Sequence, residues 1–163
     1  MNTVNILKYG HHTVMKAIDG LNEADWLTSG VCGIWSVKDI IAHLASYELG
    51  LIEILNSLMD NSSPTPLLES LAQGAQVFND TQVGKRKDHS VETVLAEYTS
   101  SFEQTPVLMN KIPKSIQDQE GVLPWYGAEY DLQDFIVYTF YGHKREHCAQ
   151  IAVFRDTLKT SST

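Results

Sequence analysis

Apolar residues recur every three or four positions over most of the chain, the period of a helix that buries one face. The first such stretch covers residues 3–21, where Ile6, Tyr9, His12 or Thr13, Ala17 and Ile18 keep that spacing. Gly20 and residues 21–26 interrupt it with room for one short turn, and Gly30 and Gly33 continue as loop. The second helix, residues 36–59, has the clearest start. Ser36 is its N-cap, Asp39 stands three residues on, and Trp35 and Ile40 occupy the two positions of a hydrophobic staple. Side-chain oxygens so placed satisfy the N–H groups that a first turn leaves open, and the staple sets the angle at which the chain enters. The apolar stripe of this helix is Ile40, Leu44, Tyr47, Leu51, Ile54, Leu55 and Leu58.

Residues 61–66, rich in Asn, Ser and Pro, force a turn. A third helix is predicted over 66–86, with Pro66 in its first turn, and a fourth over 90–111 with Ser90 as N-cap. Pro106 lies inside the fourth and is expected to kink or divide it, because proline lacks the backbone donor. Pro113, Gly121, Pro124 and Gly127 make 112–130 a long loop, a feature that often borders a functional site. Trp125 and Tyr126 on it either cover a pocket or anchor the loop to the core. The last helix is predicted over 131–158, with Asp131 as N-cap, Asp134 three residues on, and Tyr130 and Phe135 as a second staple. Alternating β-type runs are absent. The expectation is an all-α chain: one antiparallel four-helix bundle domain over 1–159 and a frayed tail at 160–163.

Composition narrows the function. A chain of 163 residues with 43% hydrophobic residues can bury a core without disulfides or a structural metal. Twelve Lys+Arg against 20 Asp+Glu leave a net charge of −8, which speaks against nucleic acid and against an anionic membrane surface. The one basic run, Lys85-Arg86-Lys87, reads as a solvated helix end. No apolar stretch reaches the ~20 residues of a membrane span. The opening MNTVNILKYGHH has no signal-peptide pattern, and Cys32 and Cys148 are no disulfide framework. These features set the expectation of a cytoplasmic protein. The partners expected of such a bundle are a small-molecule substrate and a second copy, paired as a homodimer through exposed apolar helix faces.

The histidines carry the candidate chemistry. On the last helix Leu132, Ile136, Phe140, Ile151, Phe154 and Leu158 define the expected buried stripe, and His143 and His147 fall inside it. Lys144 and Arg145 fall on other faces. Four residues apart, His143 and His147 stack one turn from each other, the spacing by which one helix offers two imidazoles to one metal ion. His43 sits at the edge of the second helix's stripe, so the three rings converge if those helices are neighbours. The spacing equally fits core histidines satisfied by local hydrogen bonds. Three imidazoles suit Zn²⁺, Ni²⁺, Cu²⁺ or Fe²⁺ and leave positions for water, substrate or a thiolate. His11, His12 and His89 receive no role, Cys148 points elsewhere, and Cys32 reads as an inert thiol. Glu48 and Glu146 read as solvated charges. No phosphate-cradling loop, nucleophile elbow or CxxC occurs, and no catalytic residue is assigned.

Two segments, GIWSVKDIIAHLASYE and YGHKREHCAQIAVFRD, resemble the DinB/YfiT-like superfamily. The resemblance lies in Trp35-Ser36-Val37 at a helix start, Ala42-His43-Leu44 within that helix, and His143, His147, Gln150 and Ile151 on the last. It runs through nearly the whole chain in helix order. It implies a four-helix bundle with a divalent metal, often Zn or Ni, on His43, His143 and His147. It also implies thiol-dependent chemistry with low-molecular-weight thiols such as mycothiol or bacillithiol, as some members show. Tyr141-Gly142-His143 with Glu146-His147 also resembles the ClbS/DfsB branch, which implies detoxifying hydrolysis without need of the metal.

Overall fold

The computed structural model describes residues 2–160. Among these the chain is helical, with one isolated bridge between Cys32 and Trp35. α1 (Thr3–Ile18) starts at Asn2, whose side-chain oxygen accepts the Asn5 N–H. The short α2 (Glu23–Leu27) follows. α3 (Val37–Met59) opens with the predicted capping box: Ser36 Oγ accepts from the Asp39 N–H, and the Asp39 carboxylate accepts from the Ser36 N–H.

The helix predicted over 66–86 is two helices, α4 (Pro66–Ala72) and α5 (Ala75–Gly84). Gly74, at φ 145°, turns the chain between them in a conformation that side chains disfavour. Arg86, expected in solvent, is buried instead. Its guanidinium forks onto the Glu97 carboxylate with two 2.7 Å bonds and also donates to the Gln82 carbonyl.

α6 (Val91–Lys111) is not divided at Pro106. The carbonyl that the missing proline N–H would have bonded is that of Phe102, and the Thr105 hydroxyl donates to it at 2.9 Å. A short α7 (Lys114–Gln117) lies within the long loop. α8 (Leu132–Phe135), capped by Asp131, runs into a π-helical segment (Ile136–Tyr141) and then α9 (Gly142–Thr160). The expected tail lies outside the described residues from 161 on, and Thr160 still belongs to α9.

The four long helical stretches close a ring: α1 packs on α6, α6 on α3, α3 on α9, and α9 with the π segment on α1. Lys38 Nζ donates to the carbonyls of Lys87 and His89 at the start of α6, and Thr105 reaches Glu48 further along, so α3 and α6 run the same way. Gly10 faces Lys144, and Arg155 donates to the carbonyls of Ala17 and Asp19, so α1 and α9 also run together. The two pairs oppose each other, since His43 meets His147 while Glu48 meets the earlier Lys144. Residues 60–90 supply the long crossover that this order requires.

The core has two apolar clusters. One holds Val14, Ile40, Leu44, Val94 and Ile151, the other Leu7, Leu51, Met109, Leu132 and Ile136. Between them, on α1, α3 and α9, lie His11, Glu48 and Lys144. Contrary to expectation, Glu48 is fully buried and Lys144 is 2% exposed, and the two form an ion pair. The ammonium also lies 5.4 Å from the centre of the Phe102 ring. Lys144 is enclosed because α1 covers the flank of α9 that a single stripe leaves open. Phe154 and Leu158, predicted in that stripe, are only half-buried near the end of α9.

Lys144→Met should destabilise the protein by about 3–5 kcal/mol in urea denaturation, since it strands the Glu48 carboxylate in the core. Glu48→Leu combined with Lys144→Met should recover most of that loss. Equal losses from the single and double variants would show that packing, not charge pairing, holds this point.

Candidate metal centre

His43 leaves α3 two turns after the Ser36 cap, and His143 and His147 leave the first turns of α9. Their ring nitrogens face one another. His143 Nε2 is 2.9 Å from His43 Nε2 and 2.9 Å from His147 Nε2. The convergence allowed by the spacing is therefore realised. His43 and His147 are 2% and 6% exposed, and His143 is half-buried.

Local structure aims each ring. The turn before α3, in which the Trp35 N–H donates to the Cys32 carbonyl and Gly33 takes a φ of 58°, brings the indole to 5.0 Å from the His43 ring. Tyr47, one turn after His43, places its ring 4.7 Å from both His43 and His143. The sequence marked Tyr47 only as a stripe residue. On α9, His147 Nδ1 lies 2.8 Å from Gln150 Oε1. A carbonyl oxygen has no proton to give, so Nδ1 donates and Nε2 turns its lone pair to the cluster.

Burial keeps these rings neutral. It pushes His43 down to about 2 and His143 to about 4, with the other two rings of the cluster adding to the effect at His43, and His147 and Lys144 adding to it at His143. His147 is lowered by burial too, against the opposing bond to Gln150. Three neutral imidazoles cannot all turn Nε2 lone pairs on one another without repulsion. A cation at the centre resolves this. Nitrogens bonded tetrahedrally at about 2.0–2.1 Å lie about 3.3–3.4 Å apart. The three ligand atoms all lie within 4.8 Å of one another, so the rings need move only slightly to fit such an ion.

The other predicted residues separate clearly. His12, His89 and Glu146 are exposed. Cys32 and Cys148 are half-buried free thiols, and burial raises Cys148 to about 11, partly offset by Lys144. Trp125 and Tyr126 do both things considered for them: they pack on Phe135, at 5.6 and 4.9 Å, and they line a cavity of about 300 Å³ that shares Tyr47 with the histidine cluster. Sequence reasoning missed His11. Its ring stacks flat on Phe102 at 3.9 Å beside Lys144, and burial together with Lys144 and His12 lowers it to about 4.

Residues 6–151 match the model of the DinB superfamily, and the chain belongs to that family. No curated protein and no solved structure gives a significant match. No helix among the described residues is long and apolar enough to cross a membrane.

The depressed His11 value makes stability pH-dependent. Between 6.5 and about 4 the unfolded chain takes up a proton that the folded ring refuses, so stability is full above that window and falls as the pH drops through it. His43 and His143 add to the same slope in metal-free protein. His11→Phe should flatten it, its gain over wild type in chemical denaturation being negligible at about pH 8 and growing steadily as the pH falls towards about 4. An unchanged slope would mean that His11 titrates normally.

Proposed function

We propose that this protein is a metal-dependent enzyme that acts on a small molecule, with Zn²⁺ or Ni²⁺ held by His43, His143 and His147. The reaction class is hydrolysis or transfer of a low-molecular-weight thiol. The observation that carries this reading is the approach of three Nε2 atoms from two helices, on two buried rings and one half-buried one. When bound, a divalent ion on three imidazoles supplies an open Lewis-acidic position that favours hydroxide or thiolate near neutral pH.

The chain's own residues prepare that position. Gln150 fixes the tautomer of His147, a contact that also raises ligand basicity. Trp35 and Tyr47 cover His43 and restrict water around it. Burial raises the Tyr47 phenol above its ordinary value, so it stays protonated and donates towards Asn79 Oδ1, 3.4 Å away. The low values of His43 and His143 keep both able to ligate well below the range in which a solvated imidazole is protonated.

Tag-free protein should hold about one equivalent of Zn²⁺ or Ni²⁺ by elemental analysis, and His43→Ala with His147→Ala should hold none. Gln150→Leu should weaken binding about 10- to 100-fold in competition with a chromophoric chelator. Less than about 0.2 equivalents after adding either ion would overturn the reading. Turnover of a reactive electrophile that survives chelation would favour metal-independent hydrolysis instead.

A further inference from the structure

We infer that the cavity beside the histidines binds an uncharged, largely apolar part of the substrate, and that Gly50 is there to keep it open. This rests on the reading of the three histidines as the site of chemistry. The cavity, about 300 Å³, has the size of a small-ligand pocket. Its walls come from six parts of the chain: Gly50 of α3, Leu71 of α4, Phe78 of α5, Trp125 of the long loop, Phe135 of α8 and Phe140 of the π segment.

No charged side chain lines it among the described residues. Its polar side-chain groups are hydroxyls and the Trp125 indole N–H, and the Ser46 hydroxyl is already committed to the His43 carbonyl at 2.6 Å. A phosphate or carboxylate in this space would be desolvated without a counter-ion. A neutral ring system or branched chain loses nothing there. Tyr47 is a shared wall, so an occupant lies one aromatic ring away from His43 and His143.

Gly50 needs explaining because it stands inside a long helix, where glycine is the poorest residue after proline. Its backbone is ordinary, with no positive φ, and a Cβ built on it would meet no atom within 4 Å. Any larger residue but proline would fit the backbone and has the higher helix propensity. What it would take away is cavity volume.

The test uses the full chain loaded with Zn²⁺ and two fluorescent probes with the same rings, neutral N-phenyl-1-naphthylamine and anionic 8-anilino-1-naphthalenesulfonate. The neutral probe should bind one to one with blue-shifted emission, at least about tenfold tighter than the sulfonate. Gly50→Leu should weaken its binding by at least about tenfold while zinc stoichiometry holds and the melting temperature is equal or higher. Ala75→Trp, filling the same space from the exposed start of α5, should give the same loss and serves if Gly50→Leu does not fold. Wild-type probe affinity in the filled variants, preference for the sulfonate, or no binding of the neutral probe would overturn the inference. Zinc is read in the same samples, so loss of the metal site with probe binding intact would overturn the functional reading and leave the cavity assignment standing.

Discussion

Glu48 and Lys144 meet on the same two helices that carry the histidines, and much of the architecture follows from that contact. Both charges are out of water, where an unpaired partner would cost several kcal/mol. α3 and α9 must therefore pack in the register that pairs them. Glu48 lies five residues after His43, and Lys144 directly follows His143. A helix is stiff over such a distance, so the register that joins the charges also sets His43 against His143 and His147. The other long helices serve the same point. On α1, Gly10 leaves room for the lysine stem, since a Cβ there would come within 3.3 Å of Lys144 Cδ. On α6, Thr105 Oγ1 lies 3.3 Å from the carboxylate oxygen that the lysine leaves free.

What could be read from the sequence was what depends on neighbours along the chain. The Ser36–Asp39 box, the Asp131 cap and the four-residue step between His143 and His147 are local, and each appears as expected. The nearness of His43 to the other two needed a packing assumption, which the order of motifs in the resembling family supplied. The failures have a common origin in contacts between distant segments. Lys144 and Glu48 lie off the apolar stripes, and only the flanking of α9 by both α1 and α3 turns their positions into core. Arg86 looks like one of three solvated cations until α6 brings Glu97 to it. Gly74 lies inside the stretch expected as one helix, and the positive φ that breaks the chain there carries no local sign beyond the glycine itself. Pro106 does not divide α6, because the hydroxyl of the preceding threonine supplies the donor that proline lacks.

The departures from regular helix are not scattered. Gly74 divides α4 from α5, and Leu71 and Phe78 on its two sides both face the cavity. The π segment, a rare winding that recurs at functional sites, puts Thr139 and Phe140 on the cavity wall and ends two residues before His143. The long loop contributes Trp125 and Tyr126 to the same space, and Gly50 is a helix-interior glycine facing it. Each feature departs from what local preference favours, and natural proteins concentrate such departures where function opposes regularity.

An apolar cavity beside three imidazoles has an electrostatic consequence as well as a steric one. Water in that space would screen every charge at the histidine cluster. An apolar occupant displaces it and lowers the local dielectric, and interactions between the cluster and a polar reacting atom strengthen accordingly. The cavity and the cluster thus divide one task between them. The walls select and hold the part of a molecule that has no charge, and Tyr47 separates that part by a single ring from nitrogens kept neutral by burial. A site built for a charged ligand would need a counter-ion in the wall. Here the buried charges that neighbour the histidines along α3 and α9, Glu48 and Lys144, neutralise each other, which leaves the histidine cluster as the polar centre that an occupant of the cavity would face.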